Sequence, residues 1–214
     1  MVCTHDIGRT CERRERRDSI ENRGQILAAA RRLFAARGVD NTSMHEIGIE
    51  AGVGQGTLYR NYAHKGELCR ALLEDDLAAH LSRIVSTLDR ADTPEPALDR
   101  LGWLLDELIQ MTDSHVPLLA AMHEAAVGPR RREAFGTPFY VSIYERITGL
   151  IQSAIDRGEA QNVDAELTAA AILAAINPHL FVFQREQRGF STERIARGIR
   201  SLFVDGLRRR HPTC

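Results

Sequence analysis

Polar side chains of the kinds that bind nucleic acid are concentrated in one stretch, TSMHEIGIEAGVGQGTLYRNYAHK, which runs from Thr42 to Lys65. Its second half carries five of them: Gln55, Thr57, Tyr59, Arg60 and Asn61. Amide, hydroxyl and guanidinium groups hydrogen-bond to phosphate oxygens and to the edges of bases. The residue types in this stretch therefore favour contact with a duplex over bond-breaking chemistry.

A short helix is predicted in the first half of the stretch. Ser43 and Glu46 have the spacing of a capping box, in which each side chain satisfies a backbone N–H of the first turn. The helix is expected to end at Gly52, because glycine takes a positive φ at low cost, and Gly54 follows directly after Val53. The sequence thus predicts a helix that begins at Ser43 and leads into a tight turn.

A second helix is predicted over about 55–62. Leu58 and Tyr62 have i, i+4 spacing and are expected to face inward, which leaves the polar side chains of this helix facing outward. A short helix, a glycine turn and a second helix with an exposed polar face are typical of a DNA-reading helix-turn-helix.

Each outward residue has a DNA-binding interpretation and an ordinary one. The Gln55 amide can pair with the N6 and N7 positions of adenine, or it can simply be solvated. Gly56 allows the backbone to approach DNA closely. Thr57 can contact phosphate or a thymine methyl group, or it can bond to its own helix. Arg60 and Asn61 are candidates for base or phosphate contact.

Three residues at the ends of the stretch also belong to the predicted DNA surface. Thr42 and Ser43 stand at the start of the first helix. Lys65 begins the helix that follows the motif, where a positive charge is unfavourable for the helix dipole. This cost suggests that a phosphate group lies near Lys65.

A longer series of residues agrees, in order and without a gap, with one known family. The matching residues are Ile26-Leu27-Ala28-Ala29-Ala30, Leu33-Phe34, Gly38, Thr42-Ser43-Met44, Glu46-Ile47, Glu50-Ala51-Gly52-Val53, Gly56-Thr57-Leu58-Tyr59, Tyr62, Lys65 and Leu68. From Arg23 to Leu73 the chain resembles the N-terminal domain of TetR/AcrR-type transcriptional repressors. The resemblance implies that Tyr59 contacts phosphate and that His45 faces the DNA, whereas Gly48 replaces the usual alanine and should soften the first helix.

The resemblance also implies a C-terminal domain that binds a largely apolar small-molecule effector between helices. Its expected lining is Trp103, Met111, Met122, Phe139, Tyr140, Tyr144, His179 and Phe183, although each of these residues alone is also typical of plain core. Family members dimerise through their last two helices, and ordinary packing within one chain is the alternative for these helices. The expected interface residues are Leu167, Ala171, Ala174, Phe181, Ile195, Ile199, Leu202 and Phe203.

Composition and charge agree with a soluble protein that binds DNA at one end. The chain has 214 residues, of which 43% are hydrophobic and 27% are charged, and its net charge is −1. The first 70 residues hold twelve Lys and Arg against nine Asp and Glu, so the N-terminal end is mildly basic. Four cysteines without metal-ligand spacing and the lack of a long apolar run predict a reduced, cytoplasmic protein without metal, cofactor or membrane segment.

The expected fold is all-α, with about nine helices and no sheet, because helical periodicity recurs and alternating β-branched runs are missing. Three parts are predicted: a disordered basic arm over 1–18, a helix-turn-helix domain over 19–66 with its motif at 43–62, and a ligand-binding and dimerisation domain over 67–214. The arm can alternatively reach into a minor groove. Separate helices are expected over about 95–112 and 117–127, the second beginning at Pro117.

Common enzyme signatures fail in this sequence. Thr57 stands where G-x-G-x-x-G needs its third glycine, and P-loop, G-x-S-x-G, H-E-x-x-H and paired Glu-x-x-His patterns do not occur. We therefore expect a ligand-responsive homodimeric repressor of a palindromic operator in double-stranded DNA, and not an enzyme. The alternatives are an activator on the same fold and a helical small-molecule-binding protein with a vestigial DNA head.

Overall fold

The structure, a computed structural model, describes residues 6–89, 94–125 and 136–209. Two compact units divide the chain between Leu73 and Glu74. The described residues form nine α-helices and two π-helical segments, with one isolated β-bridge, between Ala160 and Arg208, and no strand. The predicted all-α fold class is confirmed. The division falls seven residues after the predicted domain boundary, inside a helix that extends from Lys65 to Leu88.

Four helices build the N-terminal unit: α1 (Asp6–Arg37), α2 (Met44–Glu50), α3 (Gln55–Asn61) and the first turns of α4 (Lys65–Leu88). Glycines with positive φ end two of them, because Gly38 has a φ of 82° after α1 and Gly52 a φ of 67° after α2. Apolar side chains from all four helices form the core, which includes Ile26, Ala29, Ala30, Ile47, Leu58, Leu68 and Leu73.

Helix α1 begins at Asp6, whereas the sequence predicts a disordered arm over 1–18. The structure contradicts that prediction for residues 6–18, and residues 1–5 lie outside the described residues. Arginine and glutamate are good helix formers, and no glycine or proline occurs between Arg9 and Arg23. Local propensity therefore extends α1, although this segment has few apolar residues.

The C-terminal unit contains the rest of α4 and five further helices: α5 (Ala97–Ala125), α6 (Pro138–Asp156), α7 (Ala165–Ala175), α8 (Pro178–Val182) and α9 (Thr192–Arg200). Helices α8 and α9 continue as π-helical turns, over Phe183–Gln187 and Ser201–Asp205 respectively. Helix α5 packs against α6, α8 and α9. Fully buried side chains of the core include Leu101, Leu104, Leu105, Ile109, Ile147, Ile151, Ile172 and Phe181.

Local capping interactions set the ends of these helices. The Asp164 carboxylate accepts a hydrogen bond from the Leu167 N–H (3.0 Å) at the start of α7. The Ser191 hydroxyl accepts one from the Arg194 N–H (3.2 Å) at the start of α9. Gly158, with a φ of 71°, follows the end of α6. Each cap pairs a backbone group that lacks a partner within its own helix.

Helix α5 continues through Pro117, although the sequence predicts a break before this residue. Proline has no N–H, so the carbonyl oxygen of Asp113 loses its usual helical donor. Met111 and Leu119, on either side of the proline, are both buried. Burial of apolar side chains on both sides keeps the helix continuous in spite of the local preference. The expected end of the second helix, near Gly128, lies outside the described residues.

Two further predictions concern cysteines and membranes. Cys69 is a buried free thiol, and burial raises its pKa to about 12, so the thiol stays protonated and unreactive. Within the described ranges, no single helix is long and apolar enough to cross a membrane. One pair of segments, Ala165–Ala175 and Pro178–Gln187, meets the length and composition requirements together, but it is bent by 46°.

Candidate nucleic-acid interface and effector region

The start of α2 is held by Ser43 and Glu46. The Ser43 hydroxyl accepts a hydrogen bond from the Glu46 N–H (3.2 Å), and the Glu46 carboxylate accepts one from the Ser43 N–H (2.8 Å). The predicted capping box is confirmed. The pKa of Glu46 is lowered, chiefly because the Ser43 N–H and then the Ser43 hydroxyl donate to its carboxylate. Although Ser43 is exposed, its hydroxyl is therefore engaged in fixing α2.

The outer face of α3 carries polar side chains, as predicted for a recognition helix. Tyr59 is 50% exposed, and Arg60 is exposed beside it. The Arg60 guanidinium donates to the Thr57 hydroxyl (3.1 Å), and the Asn61 side-chain amide donates to the Thr57 carbonyl oxygen (2.8 Å). On the opposite face, Leu58 is fully buried. The helix is thus anchored by its apolar face and presents its polar face outward.

Gln55 links the two helices of the motif. Its side-chain amide, at the start of α3, donates to the backbone carbonyl oxygen of His45 on α2 (3.3 Å). His45 itself is exposed, and so is Gly56, where an added Cβ would meet nothing within 4 Å. Residues from α2 and α3 therefore share one exposed polar surface.

Thr42 does not belong to that surface, contrary to prediction. It is 2% exposed, and its hydroxyl donates to the carbonyl oxygen of Gly38 (2.8 Å). This bond gives a donor to a carbonyl oxygen at the end of α1, where no following helical turn supplies a backbone N–H. The Thr42 side chain consequently serves the connection between α1 and α2 and is inaccessible to DNA.

Lys65 makes two backbone contacts that the sequence did not predict. Its ammonium group donates to the carbonyl oxygens of Val39 (2.8 Å) and Thr42 (3.2 Å), and the side chain is partly buried. These two acceptors lie in the connection between α1 and α2. Their partial negative charge stabilises the Lys65 ammonium group, as the sequence suggested a phosphate group would. Lys65 is therefore a structural residue that ties the start of α4 to this connection.

A groove of about 580 Å³ opens on the C-terminal unit beside α5, α8 and the turn before α9. The Arg185 guanidinium lies 3.7 Å from the Asp113 carboxylate, so an ion pair connects α5 with the turn after α8. The volume lies within the usual range for small-molecule sites. Lining residues are Asp113, Val116, Pro117, Phe181, Val182, Arg185, Glu186, Gly189, Phe190 and Ser191.

None of the eight residues predicted to form the effector pocket lines this groove. Met111 is buried, His179 is exposed and Phe183 is 45% exposed, while Trp103, Met122, Phe139, Tyr140 and Tyr144 are half-buried. Tyr140 and Tyr144 stack on each other, with ring centroids 6.4 Å apart, and the Tyr144 hydroxyl donates to the carbonyl oxygen of Glu166 (3.3 Å). Their assignment to one pocket came from the resemblance and from residue type, and neither reveals which turn of a helix faces which neighbour.

The predicted dimer residues divide into two groups. Leu167 and Leu202 are 69% and 70% exposed, Ala171 and Ala174 are exposed, and Phe203 is half-buried. Phe181, Ile195 and Ile199 are buried in the core of their own subunit, so their assignment to the interface is wrong. These three apolar residues pack into the core beside α5, whereas the other faces of α7 and α9 remain open.

Sequence reasoning missed three features of these surfaces. Leu180 is 40% exposed on α8 three residues before Phe183, and that apolar i, i+3 pair was a usable signal. The buried residue Gly48 lies against Gln55, since a Cβ added to Gly48 would be 2.6 Å from the Gln55 side-chain nitrogen. A glycine inside a short helix indicates such a close approach. The Asp113–Arg185 pair had no sequence signal, because its members lie far apart along the chain.

Comparison with known proteins identifies this arrangement. The sequence model of the family described as "Bacterial regulatory proteins, tetR family" matches residues 26–72, which span the motif. An HTH-type transcriptional regulator of Staphylococcus aureus strain bovine RF122 is 27% identical over 194 residues, which are 91% of this chain and 98% of the relative. This chain carries the DNA-binding domain of the TetR family. The Staphylococcus aureus relative, which matches nearly the whole chain, is a transcriptional regulator of the helix-turn-helix type.

Two solved structures share its fold. Thermus thermophilus FadR, a TetR-family repressor in complex with lauroyl-CoA, has a TM-score of 0.66 and 21% identity, with coverage of 90% of this chain and 98% of FadR. AibR in complex with isovaleryl coenzyme A and operator DNA has a TM-score of 0.58 and 20% identity, with coverage of 86% and 98%. At these identities the likeness establishes the fold.

Proposed function

We propose that this protein is a homodimeric transcriptional repressor of the TetR type, which binds a palindromic operator and releases it when a small molecule binds to the C-terminal unit. The observation that carries the proposal is the α2–α3 motif. Leu58 and Tyr62 are buried and fix α3, while the polar side of α3 is exposed. A recognition helix enters a major groove with this kind of face. Such a regulator acts in the cytoplasm, where its operator lies.

The proposed DNA surface combines residues of α2 and α3. The Gln55 amide and the Arg60 guanidinium have the groups that read base edges in a major groove. Tyr59 offers a half-exposed phenol to a phosphate oxygen. Thr42 and Lys65 are left out, because their side chains pair with backbone carbonyls. The proposed contact residues are His45, Gln55, Gly56, Thr57, Tyr59, Arg60 and Asn61.

Open apolar faces on α7 and α9 support the dimer. Leu167, Ala171 and Ala174 recur at i, i+4 and i+7 along α7 and are all exposed, and Leu202 is 70% exposed in the turn after α9. An apolar patch that is exposed along one helix face, as on α7, is typical of an interaction surface. A two-fold related copy would cover the same faces on both subunits. Two recognition helices related by this symmetry require a near-palindromic operator.

The proposed effector site is the groove beside α5 and α8 in the C-terminal unit. Val116, Phe181 and Phe190 give it apolar walls, and the Asp113–Arg185 pair supplies charge at its edge. The lauroyl-CoA complex of FadR favours a ligand with a large apolar part. An effector lowers operator affinity when it binds more tightly to an arrangement of the protein that binds DNA poorly. A coupling free energy of about 1–3 kcal/mol between effector binding and DNA binding corresponds to a roughly five- to 150-fold loss of operator affinity.

Fluorescence anisotropy with duplexes from the DNA upstream of the protein's own gene tests operator binding. We expect tight binding to one near-palindromic duplex and at least about tenfold weaker binding when one half-site is scrambled. Affinity should also fall steeply with salt. The double variant Tyr59→Ala, Arg60→Ala should lose the tight binding and keep its fold. Equal affinity for the intact and the scrambled duplex would refute a palindromic operator.

Calorimetry with lauroyl-CoA and isovaleryl-CoA tests the effector site. The variant Val116→Trp fills the groove with a larger side chain and should abolish ligand binding, whereas Tyr140→Ala, which lies outside the groove, should leave it unchanged. The reverse result would place the effector among the residues that the sequence predicts. A transcription reporter under the operator then separates a repressor from an activator, since the ligand should raise expression.

A further inference from the structure

We propose that Gly48 is a positioning residue that sets the base preference of the recognition helix by letting Gln55 dock against α2. This inference rests on the DNA-binding part of the proposed function. Gly48 is buried in α2, and a Cβ built on it would lie 2.6 Å from Gln55 Nε2, 3.5 Å from Gln55 Cδ and 3.4 Å from Leu58 Cδ2. The first distance is too short for any real carbon–nitrogen contact, so the observed position of Gln55 requires glycine at position 48.

The docked position gives the Gln55 amide a defined orientation. One hydrogen of Nε2 is donated to the His45 carbonyl oxygen, at 3.3 Å. An amide carries two N–H donors and one carbonyl oxygen. The second N–H and the oxygen therefore stay available, and these are the two groups that pair with N7 and N6 of adenine. The contact with α2 holds the side chain in place without consuming the groups that read a base.

Alanine at position 48 would change Gln55 and spare the backbone. Gly48 lies within the helical turns of α2 and is not among the glycines with positive φ, so its backbone accepts alanine. The clash falls on the far end of a flexible side chain, which moves away more easily than a helix does. Alanine also has a higher helix propensity than glycine. The substitution should therefore release the amide from His45 and leave the fold as stable as before, or more stable.

Base preference should change as a consequence, with little change in general affinity. A well-formed bidentate contact distinguishes the right base from the wrong one by roughly five- to 150-fold. With Gln55 released, discrimination at the base pair read by Gln55 should fall by at least about fivefold. The number of phosphate contacts stays the same, so the salt slope of binding should not change.

The experiment compares the full-length protein with Gly48→Ala, Gln55→Ala and the double variant. Gly24→Ala is the matched control, because Gly24 is also helical and a Cβ there meets nothing within 4 Å. Selection from a randomised duplex library gives the base preference of each protein, and thermal unfolding reports on the fold. We expect Gly48→Ala and Gln55→Ala to lose preference at the same base pair, the double variant to match Gln55→Ala, and Gly24→Ala to match the wild type.

Hydrogen exchange of the Gln55 side-chain amide, followed by NMR without DNA, tests the docking directly. Exchange should be slower in the wild type than in Gly48→Ala. Unchanged exchange, or an unchanged base preference in a folded Gly48→Ala protein, would overturn the inference while the regulator still bound its operator. An additional loss of preference in the double variant would also overturn it. If the wild type itself enriched no sequence from the duplex library, that result would refute sequence-specific DNA binding, which is the proposed function on which the inference rests.

Discussion

The ammonium group of Lys65 lies 2.8 Å from the carbonyl oxygen of Val39 and 3.2 Å from that of Thr42. A side chain at the start of α4 thereby pairs two carbonyl oxygens in the connection between α1 and α2. Lys65→Met should leave both oxygens without this donor and should lower the free energy of unfolding by about 1–3 kcal/mol. Urea unfolding of the two proteins measures the difference.

A control and a salt titration separate this structural role from DNA contact. Arg70→Met removes an exposed positive charge from the same helix and should change stability by less than about 0.5 kcal/mol. At a temperature where both proteins are folded, Lys65→Met should leave the salt slope of operator binding unchanged. A slope that became shallower by about one unit would instead indicate that Lys65 contacts a phosphate.

Tyr59→Phe should weaken binding to all duplexes by a similar factor. The ring is half-exposed, so loss of its hydroxyl should not affect folding. One hydrogen bond to phosphate corresponds to about 0.5–1.5 kcal/mol, a two- to twelvefold loss of affinity. The salt slope should stay the same because the phenol carries no charge. Tyr144→Phe, which removes a hydroxyl from the C-terminal unit, should bind both operator and unrelated DNA as the wild type does.

Local signals were sufficient to predict the motif. The Ser43–Glu46 cap, the turn at Gly52 and the inward position of Leu58 each follow from residues a few positions apart, and the structure contains all three. Capping at Asp164 and Ser191 was predictable for the same reason. Interactions within one or two helical turns are encoded in the residue types themselves.

Contacts between distant residues were not predictable in this way. Lys65 pairs with a carbonyl 26 residues earlier, and a single sequence does not show that the two meet. Pro117 has the same chemistry in a broken helix and in a continuous one, and packing on both sides decided between them. The apolar stripe of α9 was real, but periodicity does not say whether Ile195 faces its own core or a second subunit.

Stability should fall as the solution is acidified, because of His80. Burial, then the Arg83 guanidinium, lowers the pKa of His80 below its usual 6.5, although the Glu107 and Asp76 carboxylates oppose this shift and His115 adds to it. The unfolded chain therefore binds a proton more readily than the folded one, so stability is lost as the pH falls through 6.5. His80→Gln should reduce this loss between pH 7 and pH 5.5, measured by urea unfolding. An identical pH dependence in the two proteins would contradict the assignment.

Leu167→Asp and Leu202→Asp should each convert the proposed dimer to a monomer without unfolding the protein. Both leucines are about 70% exposed within one subunit, so a carboxylate is tolerated there, but a partner subunit would bury it. Burial of an unpaired charge should weaken dimerisation by on the order of 2 kcal/mol or more, about 30-fold. Val141→Asp, a change at an exposed apolar residue of α6, is the matched control and should stay dimeric. Sedimentation equilibrium measures the mass, and operator affinity should fall together with dimerisation. If both variants remained dimeric, the subunits would have to meet through a different face.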